Sequence, residues 1–111
     1  MDRVTRYREI IRRILADYAR GRFAAGDIRS EVIVDPDQDH FELVNVGWDG
    51  DRRVHGTVLH LDIIDGKIWV QHDGTDRPVV EALEAAGVPK DDIVLAWHPP
   101  YLRKLTGYAV G

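Results

Sequence analysis

Apolar residues recur at three- and four-residue steps along the first twenty positions, at Val4, Tyr7, Ile11, Ile14, Leu15 and Tyr18. That period places them on one stripe and predicts an amphipathic helix over residues 2–20, with Ile10 widening the stripe. Asp2 supplies an N-cap and Gly21 a stop. The spacing 4, 7, 11, 14, 18 also fits a heptad seam, but so short a run does not make a coiled coil.

From residue 28 the period shortens. "IRSEVIV" (28–34) alternates weakly, "DPDQD" (35–39) reads as a loop, and "HFELVNVGW" (40–48) is rich in β-formers. Asp49-Gly50 separates this run from "RRVHGTVLHLDII" (52–64), and Asp65-Gly66 separates that run from "KIWVQH" (67–72). Asp-Gly between apolar runs is a strong hairpin signal, because a type I′ turn needs positive φ at both central residues. Residues 28–72 are therefore expected to form a four-stranded antiparallel meander. "DRPVVEALEAAG" (76–87) reads as a helix with Asp76 near its N-cap, Pro78 early and Gly87 as stop, while Thr75 is a second capping candidate. "VPKDDIVLAWH" mixes a turn with an apolar run that could add a fifth strand, and "PPYLRKLTGYAVG" reads as a helical turn and a tail. The expected fold is α+β: an N-terminal helix, then a four- to five-stranded antiparallel meander sheet with helices packed on one face.

A two-residue Asp65-Gly66 turn sets Ile64 opposite Lys67, Asp62 opposite Trp69, His60 opposite Gln71 and Leu59 opposite His72. Alternation then places Leu59, Leu61, Ile63, Ile68 and Val70 on one face, with Val44 and Val46, and draws His72 toward this core side. The second face receives Phe41, Leu43, Asn45, Val58, His60, Asp62, Trp69 and Gln71. That face is too apolar for plain solvent surface and too polar for core, which points to an interface. Phe41, Leu43, His60, Asp62, Trp69 and Gln71 are its candidate residues. The occupants to consider are a second copy of the chain as a homodimer, another protein, or the last 25 residues folding back.

Composition narrows the class. A chain of 111 residues with 44% hydrophobic and 31% charged residues is sized for a single domain, 1–111, around one modest core. Its N-terminus is charged from the second residue, without the apolar region of a signal peptide, and no run is long enough to span a membrane. There is no cysteine, so disulfides and thiolate metal sites are excluded, and a cytoplasmic protein is the simplest reading. The net charge of −4 weighs against a dedicated nucleic-acid binder. Arginines nonetheless crowd the first 22 residues, at positions 3, 6, 8, 12, 13, 20 and 22. Arg6, Arg12 and Arg13 are the candidates for contact with a phosphate backbone, against the simpler reading of a solvated helix face.

The residues between 46 and 75, with His55, His60 and His72, invite a search for catalysis. His60 and Asp62 lie two apart on one strand face, roughly 6–7 Å between Cα atoms. A zinc site needs a third ligand, from His40, His98 or a distant carboxylate, and no H-x-x-x-H or H-E-x-x-H spacing occurs. A surface histidine beside an aspartate is the simpler reading. Neither G-x-G-x-x-G nor a Walker A pattern nor a G-x-S-x-G elbow is present. No catalytic residue, cofactor site or metal site is assigned, and the chain reads as a non-enzyme.

The order "RYREIIRRIL", "VGWDG…RVHG…LHLDIIDGKIWVQHDGT" and "GVPKDDIVLAWHPPYLRKLTGYAVG" resembles the XisI family, the fdxN element excision controlling factors, over nearly the whole chain. The resemblance implies a small accessory protein of programmed DNA element excision or a related DNA-processing system, acting with a XisH-like nuclease-fold partner. It carries no catalytic residues over. Direct DNA binding through the arginine-rich helix and antitoxin-like inhibition of a nuclease partner are the competing readings.

Overall fold

The computed structural model describes residues 2–22 and 27–111, with the side chains of residues 21 and 22 outside the description. Helix α1 spans Arg3–Arg22, so it runs through Gly21 rather than stopping there. Asp2 caps it as expected: the Thr5 N–H donates to Asp2 Oδ1 at 2.7 Å. Strands β1 (Asp27–Asp35), β2 (His40–Asp49), β3 (Arg52–Ile64) and β4 (Lys67–Asp73) follow as an antiparallel meander. Helix α2 (Val79–Ala85) leads to β5 (Ile93–Leu95), and a short helix α3 (Pro100–Arg103) precedes the C-terminal segment. The fold is α+β, as its sequence pattern predicts.

Strand β5 does join the sheet, but parallel to β4, with Trp69 beside Val94. The intervening helix makes this possible, since a parallel neighbour needs a crossover connection. The Asp65-Gly66 turn closes with two residues, at φ 51° and 77°, and gives the expected pairs from Ile64↔Lys67 to Leu61↔Val70. Helix α2 starts three residues later than the sequence suggests. The N-cap position is Pro78, neither Thr75 nor Asp76, and the first helical amide is met from outside the helix by Asp73, whose Oδ2 accepts the Val79 N–H at 2.7 Å.

Two β-bulges redraw the faces. Between β2 and β3 the register passes from Leu43↔Leu59 to Val44↔Thr57, leaving Val58 as the extra residue. Because side chains alternate with a period of two, one inserted residue exchanges the faces beyond it. Phe41 and Leu43 therefore turn toward α1, opposite Leu61 and Leu59, and are fully buried in the core. They are not on the second face, so they leave the candidate interface. Val58 also enters the core, and Asn45 is buried, accepting the Ser30 hydroxyl at 2.8 Å. Val44 pairs instead with the second-face residue Thr57. Between β3 and β4 a second shift sets His60 opposite His72 and Leu59 opposite Asp73, leaving Gln71 as the extra residue. His72 is consequently exposed, not drawn to the core.

The core lies between the sheet and the two larger helices. Tyr7, Ile10, Ile11, Ile14, Leu15 and Tyr18 of α1 pack with Val79 and Leu83 of α2 over Phe41, Leu43, Leu59, Leu61, Ile68, Val70 and Ile93. Bidentate pairing of Arg8 with Asp39, at 2.6 and 3.0 Å, ties α1 to the β1–β2 turn. The Tyr18 hydroxyl donates to the Arg77 carbonyl at 2.7 Å and ties α1 to the start of α2.

Candidate functional site

The side of the sheet away from α1 is divided into a covered part and an open part. At the β4–β5 end the chain's own C-terminal segment folds over it. Ala109 bridges Val94, the Ala109 N–H donates to the Ile93 carbonyl at 2.8 Å, and the Arg103 guanidinium stands 5.2 Å from the centre of the Trp69 ring. Lys67 Nζ donates to the Gly111 carbonyl at 2.6 Å. Trp69, a candidate interface residue, is thereby half-buried by this chain itself. This is one of the three occupants considered from sequence.

Beyond Trp69 the face is open and polar. The cross-strand pairs His40↔Asp62 and Glu42↔His60 place four ionisable side chains together. His40 Nδ1 lies 2.7 Å from Asp62 Oδ1, and its Nε2 lies 2.7 Å from Glu42 Oε2. With both ring nitrogens donating to carboxylates, the His40 imidazole is held above its ordinary range, the Glu42 bond contributing most. Reciprocally, the His40 bond holds the Glu42 carboxyl below its ordinary range, assisted by the Thr57 hydroxyl that donates to Oε1 at 2.9 Å. His60 Nε2 reaches both Asp62 oxygens, at 3.1 and 3.2 Å, and the Gln71 amide donates to Asp62 Oδ2 at 3.2 Å. The two imidazole rings meet edge to face, 4.4 Å apart. Donor atoms of His40, His60 and Asp62 all lie within 4.8 Å of one another, so these three could hold a metal ion.

His60, Asp62 and Gln71 thus sit together on this face as their spacing suggests, with Trp69 alongside. Sequence reasoning offered His40 as one of several partners for His60. Glu42 and Thr57 were missed, because they enter the cluster only through the bulged register. His98 is remote in role: its carbonyl accepts the Arg103 Nε–H at 3.0 Å, and its ring lies beside Trp97. The N-terminal arginines divide as well. Arg3 approaches Asp92 at 3.8 Å, Arg8 holds Asp39 and Arg20 pairs with Asp17. Arg6, Arg12 and Arg13 are exposed and form no ion pair among the described residues.

Residues 1–110 match the XisI protein family. This chain belongs to the XisI family. A XisI-like protein of Anabaena variabilis shares 40% identity and superposes with a TM-score of 0.91, over 99% of this chain and all of that one. The fdxN element excision controlling factor XisI of the same organism shares 34% identity at a TM-score of 0.82, with the same coverage. A partial likeness also exists to the large ribosomal subunit protein eL14 of Aeropyrum pernix. It is 38% identical over 71 residues, covering 62% of this chain and 68% of that protein. XisI membership accounts for α1, the whole sheet and the C-terminal segment together. No described helix is long and apolar enough to cross a membrane.

Proposed function

We propose that this XisI-family chain is a non-catalytic controlling factor of DNA element excision or a related DNA-processing system, working by binding a XisH-like nuclease-fold partner. The observation that carries the reading is the full-length likeness to a fdxN element excision controlling factor. The open part of the second face supports it. There the polar cluster adjoins Ile33, which pairs with Glu42 and is 43% exposed. An exposed apolar side chain beside polar groups matches the mixed composition of separable interfaces. A second copy of the chain is the rival occupant of that face, giving a homodimer.

Co-expression with a XisH-like protein from the same genome, followed by sizing with light scattering, tests the reading. A stoichiometric complex is expected, and Ile33→Lys should weaken it at least tenfold without altering the melting temperature. Two separate species would overturn it. The isolated chain in the same measurement reports whether it pairs with itself. Adding the nuclease substrate shows whether the partner is activated or, as with an antitoxin, restrained.

Direct DNA binding is the second reading, favoured by the exposed Arg6, Arg12 and Arg13. It requires that affinity fall with salt, with a log–log slope near −0.9 per phosphate contacted. Each Arg→Ala change should lower that slope by about one, and absence of binding at low salt would exclude this route. An RNA-binding role by analogy with the ribosomal relative has the net charge of −4 against it.

A further inference from the structure

The geometry points to a divalent metal site of the zinc class on the open sheet face, with His40 Nδ1, His60 Nε2 and one Asp62 oxygen as ligands. Two imidazole nitrogens and one carboxylate make the borderline donor set that zinc and its neighbours take, whereas magnesium and calcium prefer oxygen. Ligands at zinc distances in a tetrahedral site stand roughly 3.3 Å from one another. Asp62 Oδ1 already lies 2.7 Å from His40 Nδ1 and 3.1 Å from His60 Nε2. The remaining donor separation is within 4.8 Å, so small side-chain rotations close the set.

The supporting contacts make this more than a chance meeting of surface groups. Glu42 accepts the Nε2–H of His40 at 2.7 Å, which reserves Nδ1 for coordination. Glu42 is itself fixed by the Thr57 hydroxyl at 2.9 Å. Gln71 holds the other oxygen of Asp62 at 3.2 Å. A carboxylate behind a histidine is the usual means of orienting a metal-bound imidazole and raising its basicity. All six side chains stand on paired strands, which are more rigid supports than loops. Two carboxylates converge here, one on each nitrogen of the His40 ring. On binding, the ion replaces the proton on His40 Nδ1, which leaves to solvent. His60 Nε2, which donates to the Asp62 carboxylate in the metal-free protein, passes its proton through solvent to Nδ1, and this frees the Nε2 lone pair. The fourth position faces a shallow cleft lined by Asp35, Gln38 and Ile64 and takes water.

Chelator-treated full-length protein, titrated calorimetrically with zinc and separately with cobalt, tests the site without any partner, so failure here leaves the partner reading standing. One ion per chain and a raised melting temperature are expected, with magnesium giving neither. His60→Ala and Asp62→Asn should weaken binding at least 100-fold, while circular dichroism reports that they remain folded. Glu42→Gln, a change at a positioning residue, should weaken it about 10- to 100-fold and shift the visible bands of bound cobalt. The exposed His55 serves as control, and His55→Ala should bind like the parent. No heat and no stabilisation by zinc would overturn the proposal. So would equal affinity in His60→Ala, or magnesium binding as tightly as zinc.

Discussion

Gly47 shows how one residue can carry a constraint that no turn motif announces. It lies inside β2 with φ 154°, and a Cβ there would stand 1.8 Å from the Asp27 carbonyl oxygen of β1. That neighbour is backbone, so it cannot swing aside. Gly47→Ala is expected to destabilise the fold by roughly 3 kcal/mol through forced separation of the strands, measured by urea denaturation. A change of 0.5 kcal/mol or less would show that β1 yields freely. Tyr7 carries a second constraint. Its side chain is fully buried and its hydroxyl donates to Asp92 Oδ2. Burial, then that bond, pushes the hydroxyl up to about 12. In the unfolded chain it ionises near 10. The unfolded state therefore loses its proton first as pH rises. Tyr7 therefore leaves stability untouched below about pH 10, and its ionisation removes roughly 2–3 kcal/mol as pH rises from 10 to about 12. Tyr7→Phe should remove this alkaline step from a stability–pH curve while lowering neutral-pH stability by about 1 kcal/mol. An unchanged alkaline limb would mean that another group sets it.

Among the elements, periodicity and turn chemistry carried most of the information. The α1 stripe, the β3 boundaries and the Asp65-Gly66 turn follow from local residue patterns alone. The bulge at Val58 does not, because an extra residue in one strand leaves the apolar/polar alternation on either side intact. Its effect is to bring Phe41 and Leu43 under α1 instead of Val44 and Val46, which puts larger apolar side chains in the core. The same slip is why His60 and Asp62 were legible as neighbours while Glu42 and Thr57 were not. The carboxylate that meets the first amide of α2 is a comparable case. Asp73 lies six residues before Val79 and is positioned by the end of β4, so proximity in sequence favoured the wrong carboxylate. Asp73 Oδ1 also accepts from the Thr75 backbone and hydroxyl, at 2.9 and 2.6 Å. Asp73→Ala should accordingly cost about 1–2 kcal/mol in thermal unfolding, and Asp76→Ala close to nothing. Equal effects would show that the Asp73–Val79 bond does not hold the start of α2.

At the scale of the whole molecule, the C-terminal segment decides which part of the second face is available to others. Its hold is local: Arg103 spans the Ala96 and His98 carbonyls and the Trp69 ring. In Arg103→Ala, the Ala109 amide should lose most of its protection in hydrogen exchange while Leu61 and Ile68 keep theirs. Uniform loss would instead indicate a global destabilisation. The same segment makes the two margins of the sheet unequal. Beside β5 the Val94–Ala109 bridge supplies a lateral neighbour, whereas β1 forms the other margin of the described sheet. Chains that add to one another strand by strand into a filament need a donor margin and an acceptor margin on every copy. With Ala109 paired to Val94, another strand cannot add at that position of the β5 edge. The tail that covers Trp69 therefore also occupies part of one of the two edges at which a further strand could add.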